Sequence, residues 1–204
     1  MSNNMGFKQR LYNFVKRITR VEIVNPEKEP EYGVLLCSNH ISLLDPISIT
    51  VSMKRPPKFM AKKELFKIPI VSSVIKLFGA FPVDRGNADI TAMKKAITLL
   101  DDGCSVGLFP QGTRCAGINP EDTKAKKGIG MLIIRSHCDI LPVAIISKRN
   151  KCSLFRKKYI VIGDVIKYDS LGITDKSREE FERVSSFVFE KICDLHKSYR
   201  HYVD

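Results

Sequence analysis

Residues Gly33–Pro46 read G-V-L-L-C-S-N-H-I-S-L-L-D-P, and they decide how the rest of the chain is read. Gly33–Ser38 is a short unbroken apolar run, which reads as a buried strand. Pro46–Met53 reads as a short helix, with Pro46 suited to its first turn. Between them lie His40 and Asp45. On a continuous helix, residues five apart point about 140° away from each other, which would separate the two side chains. Pro46 disfavours helical backbone at Asp45, so the segment is expected to be a loop leading into a helix. A loop can fold the carboxylate back onto the imidazole. A carboxylate that accepts a hydrogen bond from one ring nitrogen leaves the other free to take a proton, and stabilises the resulting imidazolium. No serine is needed in such a site, because a substrate hydroxyl can itself be the nucleophile. Asp45 before Pro46 also suits an ordinary helix N-cap, with His40 a plain loop residue, so the pair alone leaves both readings open.

Outward from this stretch, strands alternate with helices. Helices are expected over Pro69–Phe78, stopped by Gly79, and over Ile90–Asp101. The second has Asp89 as N-cap, Gly103 as C-terminal stop, and Ile90, Met93, Ile97 and Leu100 turned inward. Ala80–Val83, Ser105–Phe109, Ile140–Ile146 and Tyr159–Ile162 read as strands. Ile129–His137 reads as an apolar helix whose Met131–Ile134 cluster belongs to the core. Ser177 and Glu180 form a capping box that opens a terminal helix with the stripe Phe181, Val184, Val188, Ile192 and Leu195. No repeat or linker interrupts the 204 residues, of which 44% are hydrophobic. The expected fold is a single-domain α/β structure: a mixed, mostly parallel sheet flanked by helices.

The formal net charge of +12 calls for an anionic partner. Residues 1–20 carry Lys8, Arg10, Lys16, Arg17 and Arg20 and no acid. On the same segment Phe7, Leu11, Phe14, Val15 and Ile18 share one helical face, the pattern of an interfacial helix in lipid headgroups. A helix packed on its own domain would need polar residues but not exclusively basic ones, so residues 1–20 are expected to lie on an anionic membrane surface, with the catalytic domain over 21–204. No apolar run reaches the roughly 18–20 residues of a spanning helix. The basic stretches show no nucleic-acid-binding signature, and no nucleic acid partner is expected. The six cysteines are scattered without a C-x-x-C pair, and no secretory signal is read, so free thiols in a reducing cytoplasm are expected. Neither cysteines nor histidines show zinc-ligand spacing, and no metal or cofactor is expected.

Two further stretches bear on the site. Gly79–Arg85 (G-A-F-P-V-D-R) and Phe109–Arg114 (F-P-Q-G-T-R) each end a strand near an arginine. The planar fork of arginine suits phosphate, and Gly112 lets backbone approach a ligand and offer an amide. Arg85 and Arg114, at strand ends where loops converge, are therefore candidates for a phosphate clamp beside His40.

Together these blocks resemble the glycerolipid acyltransferase family, specifically bacterial lysophosphatidate acyltransferases. Asn39–Asp45 matches its N-H-x-x-x-x-D block and Phe109–Arg114 its F-P-E-G-T-R block, including Thr113. Gly79–Arg85 is similar to a third block, with Phe81 one place early, and Ile140–Ala144 to a fourth. The resemblance implies acyl transfer from acyl-CoA or acyl-carrier protein to the sn-2 hydroxyl of lysophosphatidate, with His40 as base and Asp45 orienting it. It implies that Arg85 and Arg114 hold the acceptor phosphate, and it places Lys62 near the acceptor. It also implies a peripheral enzyme on the cytoplasmic face of the cell membrane. Gln111 stands where the family usually has glutamate; the amide still accepts a hydrogen bond but carries no charge. Glycerol-3-phosphate or another lysophospholipid as acceptor, or a decayed membrane-binding scaffold, are the alternatives.

Overall fold

Buried on both faces, the strand β2 (Leu35–Ser38) stands in the middle of a seven-stranded sheet. The computed structural model describes residues 2–83, 90–151 and 156–203, and the side chains of residues 2–9 and 11 lie outside that description. The remaining elements are α1 (Ser2–Thr19), β1 (Val21–Val24), α2 (Asp45–Thr50), β3 (Lys58–Lys62), α3 (Pro69–Leu77), β4 (Phe81–Val83), α4 (Ile90–Asp101), β5 (Val106–Leu108), α5 (Gly128–Ser136), β6 (Ile140–Ser147), β7 (Lys158–Ile162) and α6 (Arg178–Tyr199). The sheet order is β1-β7-β6-β2-β5-β3-β4, and every neighbouring pair is parallel except β6 with β7. This is the mixed, mostly parallel α/β architecture expected from the sequence.

Period-two alternation sends successive side chains into different cores. Leu35 and Cys37 face a cluster with α4, α5 and α6, while Leu36 joins Ile49, Met53, Phe59 and Leu141 on the other side, where α2 lies. Phe181, Val184, Val188, Phe189 and Ile192 of α6 are buried. At about 1.5–3 kcal/mol for each large apolar side chain taken from water, this stripe is a principal reason the helix stays docked. Gly130 lets α5 approach α6: its N–H donates to Ser185 Oγ at 2.8 Å, and a Cβ there would collide with the Phe181 carbonyl.

Several local expectations need correction. Of the four residues expected to face inward on α4, Ile90 is 65% exposed, whereas Met93, Ile97 and Leu100 do pack on the core, joined there by buried Ala92, Ala96 and Leu99. The alanines at i and i+4 permit close packing on this face, and Ile90 is the first residue of the helix. Half of the α6 capping box forms. Ser177 Oγ accepts from the Glu180 N–H at 3.1 Å, but the Glu180 carboxylate turns to Arg183 and the Thr174 N–H. Asp45 opens α2 instead of preceding it, since Leu44 already adopts helical backbone. The Asp89 cap lies outside the described residues. β1 and β3 are two strands the sequence reading did not assign.

Candidate active site

The parallel strands β2, β5, β3 and β4 all end at one edge of the sheet, where loops of neighbouring strands converge. His40 follows β2, Phe109–Arg114 follows β5, and Lys62 closes β3.

The loop after β2 is held by side chains and by backbone. The Asn39 amide spans the edge of β6: its Nδ2 donates to the Ile145 carbonyl at 2.9 Å, and its Oδ1 accepts from the Ile145 N–H at 2.7 Å. The His40 N–H donates to Gln111 Oε1 at 2.7 Å, and the His40 carbonyl accepts from the Cys115 N–H at 2.7 Å. Asp45, fully buried, gathers the rest of the loop. Its Oδ2 accepts from the Ile41 and Ser42 N–H groups, each at 2.6 Å, and lies 2.8 Å from His40 Nδ1. Because Oδ2 is an acceptor, the assignment that satisfies this network puts the proton on Nδ1 and leaves Nε2 as an acceptor. Among the described residues no hydrogen bond engages Nε2. Asp45 Oδ1 is buried without a partner, so the carboxylate has unused acceptor capacity beside the ring.

The imidazole is also held face-on. Its ring stacks on Phe109 with centroids 3.9 Å apart and planes 11° from parallel, and Phe109 stacks in turn on Phe59 at 5.3 Å. Gly107 makes room for this pile, since a Cβ there would run into the Phe59 ring. Neither phenylalanine announces such a role in sequence; the one signal is Gly107 inside a strand, which marks a close approach.

His40 lies in the wall of a cavity of about 390 Å³, lined on its apolar side by Phe59, Met60, Leu65, Ile75 and Phe78. Lys62, Thr113 and Arg114 line the same cavity. Lys62 is half exposed and 3.6 Å from Glu64, whereas no acid among the described residues pairs with the exposed Arg114. Arg85 lies outside the described residues.

Gln111 and Gly112 of the F-P-Q-G-T-R block, candidates for binding substrate, make their hydrogen bonds within the protein. Gln111 is 4% exposed and spent within the protein: Oε1 on the His40 N–H, and Nε2 donating to Thr123 Oγ1 at 2.9 Å. Thr123 passes its own proton to the Pro120 carbonyl at 2.6 Å. The amide is thus both acceptor and donor. The Gly112 amide, expected to face a ligand, donates instead to the Phe109 carbonyl at 3.0 Å and closes a turn at φ +66°.

A histidine held by a carboxylate, with its second nitrogen open to an apolar cavity fringed by cations, is equipped to deprotonate a hydroxyl on an amphiphile. On this sheet edge it defines the class: an α/β acyltransferase. The acyltransferase family model matches residues 20–146, more than half of the chain, and the chain belongs to that family. It is 32% identical over 148 residues to a 1-acyl-sn-glycerol-3-phosphate acyltransferase of Bacillus subtilis, covering 71% of this chain and 72% of that one. A protein of the same name from Borreliella burgdorferi is 33% identical over 135 residues, 64% of this chain, and the match spans about half (53%) of that relative. In fold, the chain is similar to the crystal structure of the 1-acyl-sn-glycerophosphate acyltransferase PlsC from Thermotoga maritima, with a TM-score of 0.63 at 21% identity, over 94% of this chain and 83% of that one. The family resemblance read from the four sequence blocks is therefore borne out.

Proposed function

We propose that the chain transfers a fatty acyl group from a thioester donor, acyl-CoA or acyl-carrier protein, to the sn-2 hydroxyl of 1-acylglycerol 3-phosphate, giving phosphatidate. The observation that carries this reading is the His40–Asp45 pair in the wall of an apolar cavity that also holds Lys62 and Arg114. The acceptor hydroxyl gives its proton to His40 Nε2 as its oxygen attacks the thioester carbonyl. The tetrahedral adduct then expels the thiolate, which recovers the proton from the imidazolium. Asp45 holds the neutral ring in the tautomer whose Nε2 accepts, and balances the imidazolium charge afterwards. No acyl-enzyme is formed.

Arg114, with Arg85 and Lys62, binds the acceptor phosphate, and the Thr113 hydroxyl adds a donor beside it. Gln111 and Gly112 support the acceptor site from behind, one by fixing the His40 backbone and the other by shaping the turn that carries Thr113 and Arg114. The apolar wall from Phe59 to Phe78 takes an acyl chain. The scheme uses protein groups alone, and full activity in EDTA is expected.

The enzyme works on the cytoplasmic face of an anionic membrane as a peripheral protein. No helix among the described residues is long and apolar enough to cross a membrane. On α1, Phe14 is 60% and Ile18 37% exposed, so this part of its apolar face is turned away from the domain and suits lipid, while Tyr12 stacks on Phe78 and Thr19 is buried. The reaction is tested by supplying each thioester donor with lysophosphatidate on vesicles and locating the new ester. Acylation at sn-2, and weaker use of an acceptor without phosphate, supports the reading; indifference to the phosphate contradicts it.

A further inference from the structure

The apolar lining of the cavity does not stop at its rim. Along α3, Ile70, Val74 and Phe78 follow one another at i, i+4 and i+8, so they form one row on the helix surface. Phe78 is buried and lines the cavity, Val74 is 38% exposed and Ile70 is 81% exposed. Ile68, just before the helix, is 50% exposed, and Leu43, another cavity-lining residue, is 63% exposed. Large aliphatic side chains left this open are a surface waiting for an apolar contact. Their setting selects the contact: residues 62–77 carry Lys62, Lys63, Lys67 and Lys76 against the single acid Glu64. Aliphatic side chains among lysines match the interface of an anionic bilayer, where the chains enter the acyl boundary and the ammonium groups meet phosphates.

We propose that Ile68, Ile70 and Val74 form a second membrane contact, separate from α1, which seats the cavity mouth in the lipid interface. This rests on the lipid acceptor proposed above. Such an acceptor has its acyl chain in the bilayer, and drawing it into water costs about 0.8 kcal/mol per methylene. A mouth whose apolar row continues into the bilayer spares the acceptor that exposure: the chain slides from lipid along α3 to the cavity wall. The Tyr12–Phe78 stack, with centroids 5.5 Å apart, ties this element to α1.

The chain has no tryptophan, so Ile70→Trp gives the protein a single tryptophan, excited apart from its six tyrosines at the red edge of their absorption. Added to vesicles of phosphatidylglycerol and phosphatidylcholine, it should shift its emission to the blue and be quenched by lipids brominated along their chains. Glu182→Trp on α6, across the sheet from α2, should do neither. In parallel, Ile70→Asp/Val74→Asp should bind the vesicles about ten-fold or more weakly, each ten-fold being about 1.4 kcal/mol. It should keep wild-type turnover on a short-chain acceptor dispersed in water. Unchanged Ile70→Trp emission while the protein sediments with vesicles would overturn the proposal, leaving α1 as the membrane contact. A blue shift that grows with protein concentration and needs no lipid would also overturn it, in favour of a second copy on this face. No turnover by wild type on any acceptor, with the lipid-dependent shift intact, would defeat the reaction and not the surface.

Discussion

Replacing Asp45 separates its two tasks, because one oxygen serves both the loop and the base. In Asp45→Ala, the Ile41 and Ser42 N–H groups lose the acceptor that holds each of them at 2.6 Å. Leaving a buried donor unsatisfied costs about 1–3 kcal/mol. Ile41 is buried and Ser42 is only partly so, which puts the combined loss at about 2–4 kcal/mol. For a chain of this size each kcal/mol moves Tm by roughly 2–4 °C, so Asp45→Ala should melt roughly 5–15 °C lower. In Asp45→Asn the amide oxygen can replace Oδ2 and keep all three contacts. Its NH2 group then falls where Oδ1 has no partner, at a cost of about 1–3 kcal/mol for each of its two N–H donors left unsatisfied. The charge opposite the imidazole is gone in both variants, and a base deprived of its orienting carboxylate should slow acyl transfer about 10²–10⁴-fold. Thermal melts and initial rates with labelled donor measure the two effects separately. Both variants should melt below wild type and both should be nearly inactive. An Asn variant within three-fold of wild-type rate would refute the reasoning, since the carboxylate would then be scaffold alone.

Three further outcomes follow from the same geometry. Gln111→Leu removes the acceptor of the His40 N–H and should lower kcat about ten-fold or more through a misplaced ring, at about 1–3 kcal/mol in stability; unchanged kcat would mean that the Cys115 and Asn39 contacts suffice to place His40. Arg114→Ala should raise the KM for the phosphorylated acceptor with kcat little changed, as expected for binding shared by ground and transition states; a loss confined to kcat would move Arg114 from binding to chemistry. His196, held on Asn150 Oδ1 at 2.9 Å, is kept below its ordinary 6.5, first by burial and then by nearby Arg200. A depressed histidine contributes stability that is complete above its unfolded value and is lost as pH falls, so Tm should drop between pH 7 and pH 5.5 and His196→Gln should flatten that drop; an equal drop in both proteins assigns the effect to other groups.

The apolar elements were legible because their signals are strong: β2 and β6 lie where unbroken apolar runs put them, α5 where its apolar cluster does and α6 where its stripe does. β1 and β3 escaped because they are short and carry polar residues, as in Val21–Val24 with Glu22 and Lys58–Lys62 with a lysine at each end. On α4 the sequence put Met93, Ile97 and Leu100 correctly at the core but missed Ala92 and Ala96, because alanines carry little hydrophobic signal yet allow a close approach. Within the site, His40 and Asp45 are five residues apart, and the proline between loop and helix made their meeting readable. The anchors are not local. Gln111 reaches His40 across 71 residues and Asn39 reaches Ile145 across 106, so nothing in either neighbourhood points to the partner. The cavity wall is likewise assembled from β3, α3 and the loop after β5, and Phe59, Leu65, Ile75 and Phe78 read in sequence as ordinary core.

Acyl transfer by the purified protein, wild type beside His40→Ala, with lysophosphatidate on vesicles and each of the two thioester donors, tests the central claim most directly. The account predicts phosphatidate from wild type with at least one donor, and a rate lower by about 10²–10⁴-fold or more from His40→Ala at unchanged vesicle binding. Equal rates from the two proteins, or no product from wild type with either donor, would contradict it.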